Sequence, residues 1–93
     1  MARKPKAAMI ARNVTVAGRR TSLRMEPEMW DALQEAATRE GQSLHDFCTG
    51  VAKKRGAYSM TAAIRVYLLS YFRDAATDAG HKSAGHGKLK SKR

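Results

Sequence analysis

The stretch Gly18–Trp30, GRRTSLRMEPEMW, changes character halfway. Up to Met25 it alternates and carries arginines, the period-2 pattern of a strand. From Glu26 it brings acids and a proline and reads as a helix start. Pro27 suits the first helical turn, and Glu26, Glu28 and Asp31 lie where the helix dipole favours negative charge. A strand placed before helices leaves its main-chain N–H and C=O groups in need of a partner. Two partners are available. Val14–Val16 can fold back on Thr21–Leu23 across Ala17–Arg20 as a hairpin, or the strand can pair with its copy in a second chain.

Just upstream, Val14, Thr15, Val16, Thr21 and Leu23 all favour extended structure. Val14 and Val16 share parity with Ser22 and Arg24, not with Leu23 and Met25. One continuous strand would therefore set the valines on the polar face, and a bulge or bend at Ala17–Gly18 would correct the phase. With Leu23 and Met25 toward the helices, Arg20, Ser22 and Arg24 face away. A phase shift at the bulge would turn Arg19 and Thr21 outward instead.

Downstream, Trp30, Leu33 and Ala37 fall on one stripe of a first helix that Gly41 ends. Ser43 is a good N-cap for a second helix, in which Leu44, Phe47, Cys48 and Val51 make an apolar stripe and Gly56 is the stop. Gly50 inside that helix is read as a close backbone contact. A third helix, capped by Ser59 or Thr61, carries Met60, Ile64, Tyr67, Leu68, Tyr71 and Phe72 on one broad stripe, widened by Ala63, Val66 and Leu69. A helix apolar on most sides is buried on most sides, which points to a subunit interface or else to the central helix of a monomeric three-helix core. The expected domain spans 13–76, with a strand at about 19–25 and helices at about 27–40, 44–55 and 60–75. Residues 1–12 are expected to be a disordered basic arm and 77–93 a disordered basic tail.

The 93 residues carry a formal net charge of +10, which implies an anionic partner, usually nucleic acid. That charge sits on the arms. Residues 1–20 and 79–93 hold eleven of the 18 lysines and arginines and no acid, so 21–78 is near neutral. Such arms track phosphates without regard to sequence. A single cysteine, Cys48, rules out an internal disulfide and fits a reducing compartment. The sequence shows no secretory signal and no membrane span, so a cytoplasmic, nucleoid-associated protein is expected.

The segment TSLRMEPEMWDALQEAATREGQSLHDF resembles ribbon-helix-helix proteins of the MetJ/Arc type, and more narrowly a bacterial subfamily with a third helix, here SMTAAIRVYLLSYF. The resemblance covers roughly Val14–Phe72. It implies a mainly α fold with one short β-strand per chain. Two chains would form an intertwined homodimer around a two-stranded intermolecular antiparallel ribbon, with an extra C-terminal helix on each. It implies sequence-specific binding of double-stranded DNA by a transcriptional regulator, a repressor in most such settings. A two-stranded ribbon fits the major groove, and arginine and serine can hydrogen-bond base edges there. On this chain the base readers would be Arg20, Ser22 and Arg24. Phosphate contacts would come from Arg12, Arg19, Gln42, Ser43, Leu44 and His45, the last four at a helix N-terminus. The dimer core would hold Leu23, Met25, Trp30, Leu33, Phe47, Val51, Ile64, Tyr67, Leu68 and Tyr71.

Other readings compete. A helix-turn-helix would read bases with His45, Asp46, Thr49 and Lys53, but acids on and before that helix oppose it. An antitoxin or other protein-interaction adaptor could use the same dimer, although the tail offers only Leu89 as an apolar anchor beyond Ala84. Non-specific nucleoid binding is the third. No nucleophile–base set, carboxylate pair or phosphate-cradling loop appears, so no enzyme is expected. No cofactor and no metal are expected either: His81 and His86 lack companions at ligand spacing.

Overall fold

The computed structural model describes residues 8–85. Two strands, β1 (Ile10–Val16) and β2 (Arg19–Met25), precede four helices: α1 (Pro27–Arg39), α2 (Leu44–Lys53), α3 (Met60–Ala75) and α4 (Asp78–Ala84). The partner of the Gly18–Met25 strand is thus in its own chain. β1 and β2 form an antiparallel hairpin joined by Ala17 and Gly18. This corrects the expectation of one strand per chain completed by a second copy. Ile10–Arg12, expected in a disordered arm, belong to β1.

The turn explains the parity conflict without a bulge. Ala17 (φ 50°) and Gly18 (φ 82°) both have positive φ, the type I′ signature whose twist matches that of the strands. Val16 then pairs with Arg19, Val14 with Thr21, Arg12 with Leu23 and Ile10 with Met25. Directly paired residues share a face, so the even positions of β1 join the odd positions of β2. Val14, Val16, Leu23 and Met25 are accordingly buried together. Arg20, Ser22 and Arg24 lie on the opposite face, where all three are exposed.

The inner face of the hairpin closes over the helices. Trp30, Leu33, Ala36 and Ala37 come from α1, Phe47, Cys48 and Val51 from α2, and Ala63, Ile64 and Leu68 from α3. Ten residues were assigned above to a dimer core. In the structure eight of them are buried within the single chain, and Tyr67 and Tyr71 are half-buried against the same cluster. The two tyrosines meet Phe47 edge-on at 5.5 and 6.4 Å. The Tyr71 hydroxyl donates to Glu40 at 2.7 Å. Two apolar side chains of α3, Val66 and Leu69, remain exposed.

Local chemistry sets the ends of the elements. Ser43 caps α2 by accepting the Asp46 N–H at 3.0 Å, and Ser59 caps α3 by accepting that of Ala62 at 3.2 Å. Gly41 (φ 67°) ends α1, and the Gln42 N–H returns to the Ala37 carbonyl. Glu26 opens α1 and is held by Arg65 of α3 at 2.5 Å. That hydrogen bond lowers its pKa from the usual carboxylate value. A side chain at Gly50 would meet nothing within 4 Å, so this glycine marks no close contact. Inside the expected disordered tail, Thr77 caps the seven-residue α4 and Gly85 ends it in the left-handed region.

Candidate nucleic-acid interface

The outer face of the hairpin is a two-by-three array. Ala11 stands opposite Arg24, Asn13 opposite Ser22, and Thr15 opposite Arg20. All six are exposed. The arginines and the serine named from sequence are therefore brought onto one flat surface, and Asn13 and Thr15 join them. These two were not legible as site residues, because their face depends on the register that the turn sets. Their amide and hydroxyl are also groups that hydrogen-bond base edges.

The other named residues divide. Arg12 is on the inner face, with its guanidinium 5.1 Å from the centroid of the Trp30 ring, a cation–π contact. Trp30 is buried there, and its indole N–H donates to the Ile10 carbonyl at 2.9 Å. It pins the start of β1 to α1. Arg19 pairs with Val16 beside the turn and is exposed at the hairpin tip.

At the start of α2 the Ser43 hydroxyl oxygen accepts the cap bond, which leaves its O–H able to donate, and the Gln42 N–H is taken by Ala37. The main-chain N–H groups of Leu44 and His45 lie in the first turn, where a helix has no internal acceptors for them. The His45 side chain has turned to the sheet. Its Nδ1 accepts the Thr15 N–H at 2.9 Å. An acceptor at Nδ1 requires the neutral ring with its proton on Nε2. One turn on, the Thr49 Oγ1 accepts the Ala17 N–H at 2.9 Å and donates to the His45 carbonyl at 2.9 Å.

These bonds cap one edge of the sheet only. A two-residue turn makes Val16–Arg19 a hydrogen-bonded pair, so the main-chain groups of Thr15, Arg20, Ser22 and Arg24 point away from the opposite strand. On β1, His45 and Thr49 meet that edge. On β2, no described residue outside the hairpin bonds the N–H and C=O groups of Arg20, Ser22 and Arg24.

Burial pushes the Cys48 thiol up to about 11, so it is a packed core group rather than a nucleophile. Among the described residues no group of three or more His, Cys, Asp or Glu side chains is placed to hold a metal ion. Among them, too, no helix is long and apolar enough to cross a membrane. His86 and most of the arm cations (Arg3, Lys4, Lys6, Lys88, Lys90, Lys92 and Arg93) lie outside the described residues.

A basic ribbon packed on a helix pair with an exposed alternate face defines a class of DNA-binding domain. The sequence model of the ribbon-helix-helix domain matches residues 9–72. This chain belongs to the ribbon-helix-helix family. No curated protein and no solved structure gave a match.

Proposed function

We propose that this protein is a sequence-specific double-stranded-DNA-binding regulator, a repressor in the bacterial cytoplasm, that acts by binding and not by catalysis. One observation carries the reading. Arg20, Ser22 and Arg24 are exposed together on the outer face of an antiparallel ribbon, while Leu23 and Met25 of the same strand are buried. The burial of these two prevents a one-residue slip, which would exchange the faces. In the major groove the arginines would hydrogen-bond guanine O6 and N7 and the serine a neighbouring base edge. Arg19, Ser43, the first-turn amides of α2 and the basic arms would supply contacts to phosphate.

The dimer of this reading joins two hairpins, not two single strands. Because the outward main-chain groups on β2 are those of Arg20, Ser22 and Arg24, a two-fold axis at Ser22 pairs all three with a second copy. Arg20 then faces the partner's Arg24, a like-charge opposition that DNA phosphates relieve. Thr49 already serves β1, which weighs against α2 as a reading helix. The closure of the core within one chain favours a second reading, in which a single hairpin enters the groove as a monomer.

Selection of bound sites from random duplex DNA at physiological salt tests these readings. A pseudo-palindrome is the expected product; an enriched site without symmetry would favour the single hairpin, and no enrichment would favour nucleoid-type binding. Arg24→Ala should relax the preference at one base position by about 1–3 kcal/mol. Equal weakening on every sequence would overturn its readout role.

A further inference from the structure

The hairpin tip overhangs a groove of about 550 Å³. Val16, Ala52 and Met60 contribute apolar surface to it, and Arg19, Arg20 and Arg55 make it basic. Arg20 and Ser22 also line it, so it opens beside the free edge of β2. The near-neutral fold thus carries a cationic recess that its own acids do not fill. Among the described residues the Arg55 guanidinium is held only by a long hydrogen bond to the Tyr58 carbonyl at 3.5 Å.

The same chain presents the complementary surface. Glu28 and Asp31 lie one turn apart on the exposed side of α1, directly after β2. Among the described residues neither makes an ion pair or a side-chain hydrogen bond.

We propose that this groove seats the start of α1 from a second copy, with the partner's Glu28 paired to Arg55 and Arg19. The inference rests on the β2-edge dimer proposed above and names the contact that holds it. Antiparallel pairing about Ser22 sets Arg19 opposite the partner's Met25 and Gly18 opposite the partner's Glu26. Leu23 and Met25 face the helix side of the sheet, so the chain leaves β2 on that side as it enters α1. The first turn of the incoming α1 therefore comes down under the hairpin tip, where the groove lies. Its acids meet three arginines, and Pro27 meets the apolar floor. The contact lies on the side of the sheet away from the DNA-reading face, so assembly and DNA binding use different side chains except at Arg19 and Arg20.

Charge exchange tests the contact on the full chain without DNA. Sedimentation equilibrium measures the dimer constant, and circular dichroism checks that each variant folds. Arg55→Glu and Glu28→Arg should each weaken the dimer by about tenfold. The combined variant should recover to within about threefold of the parent, because the pair is restored with its signs reversed. A parent dimer that neither single variant weakens overturns the groove contact and leaves the β2-edge dimer standing. So does a double variant in which the two losses merely add. A parent chain that stays monomeric at every concentration overturns both. DNA readout is then judged separately, by Arg24→Ala.

Discussion

The two faces of the hairpin share fourteen residues of strand and nothing else. On the inner face Val14, Val16, Leu23 and Met25 are packed to between 0 and 8% exposure. The outer face is Ala11, Asn13, Thr15, Arg20, Ser22 and Arg24, all open to solvent. The period of two that makes one face apolar makes the other available for binding. Stability and recognition are therefore separable in the same seven residues of β2, and the core locks the phase of the readers.

Substitutions can break that separation. The largest stability effect is expected from the inner face: Met25→Ala, at 0% exposure, should cost about 2–5 kcal/mol in denaturant unfolding, through lost burial and the cavity left behind. Its outer neighbour Arg24, replaced by alanine, should change DNA preference and leave the unfolding midpoint nearly unmoved. If both variants unfolded alike, the two faces would not be independent.

The turn that sets the register comes next. Gly18→Ala meets no atom within 4 Å, so its whole cost is backbone strain at φ 82°, about 1–2 kcal/mol. A midpoint equal to the parent's would mean that the turn does not hold the two faces in phase. The smallest effect falls at the edge. Thr49→Val keeps the shape and removes the acceptor for the Ala17 N–H, for about 0.5–1.5 kcal/mol. Hydrogen exchange at Ala17 should rise in that variant; unchanged protection would show that α2 does not cap β1. At low pH the Glu26–Arg65 contact adds a weaker signal. Its carboxylate pKa is lowered in the fold, so its contribution is present above the usual carboxylate range and is lost as pH falls through the lowered value.

The two edges of the sheet repeat the contrast. β1 is capped by His45 and Thr49 from the same chain, whereas β2 keeps its outward groups open beside a basic groove. An open, arginine-bearing edge resists casual pairing through charge. It admits a partner that can answer that charge, which DNA and the acidic start of α1 both do.

Several of these features are visible in the residues alone. The helical stripes follow from spacing: Trp30, Leu33 and Ala37 on one helix, Phe47, Cys48 and Val51 on the next. Ser43, Ser59 and Gly41 mark helix ends because their side-chain and backbone chemistry acts within a few residues. The outward set Arg20, Ser22 and Arg24 follows from alternation once Leu23 and Met25 are taken as core. Asn13 and Thr15 escape that logic. Alternation assigns faces only relative to a strand's own neighbours, and β1 has no face until its partner is known. Ala17–Gly18 is also a weaker hairpin signal than asparagine–glycine, because alanine at positive φ is strained and the sequence alone does not show that packing imposes it.

Local rules thus determined which segments are helical, where they are capped, and which side chains of β2 share a face. Each of these depends on interactions a few residues long. Tertiary structure alone decided that the ribbon closes within one chain, and with it that β1 adds to the outer surface. It also decided that Arg12 serves the core side, over Trp30. Those outcomes depend on which edge a strand meets and how the hairpin settles on three helices. Both are set by contacts between residues 30 or more positions apart, such as Ala17 with Thr49 and Glu26 with Arg65, and no short-range pattern encodes them.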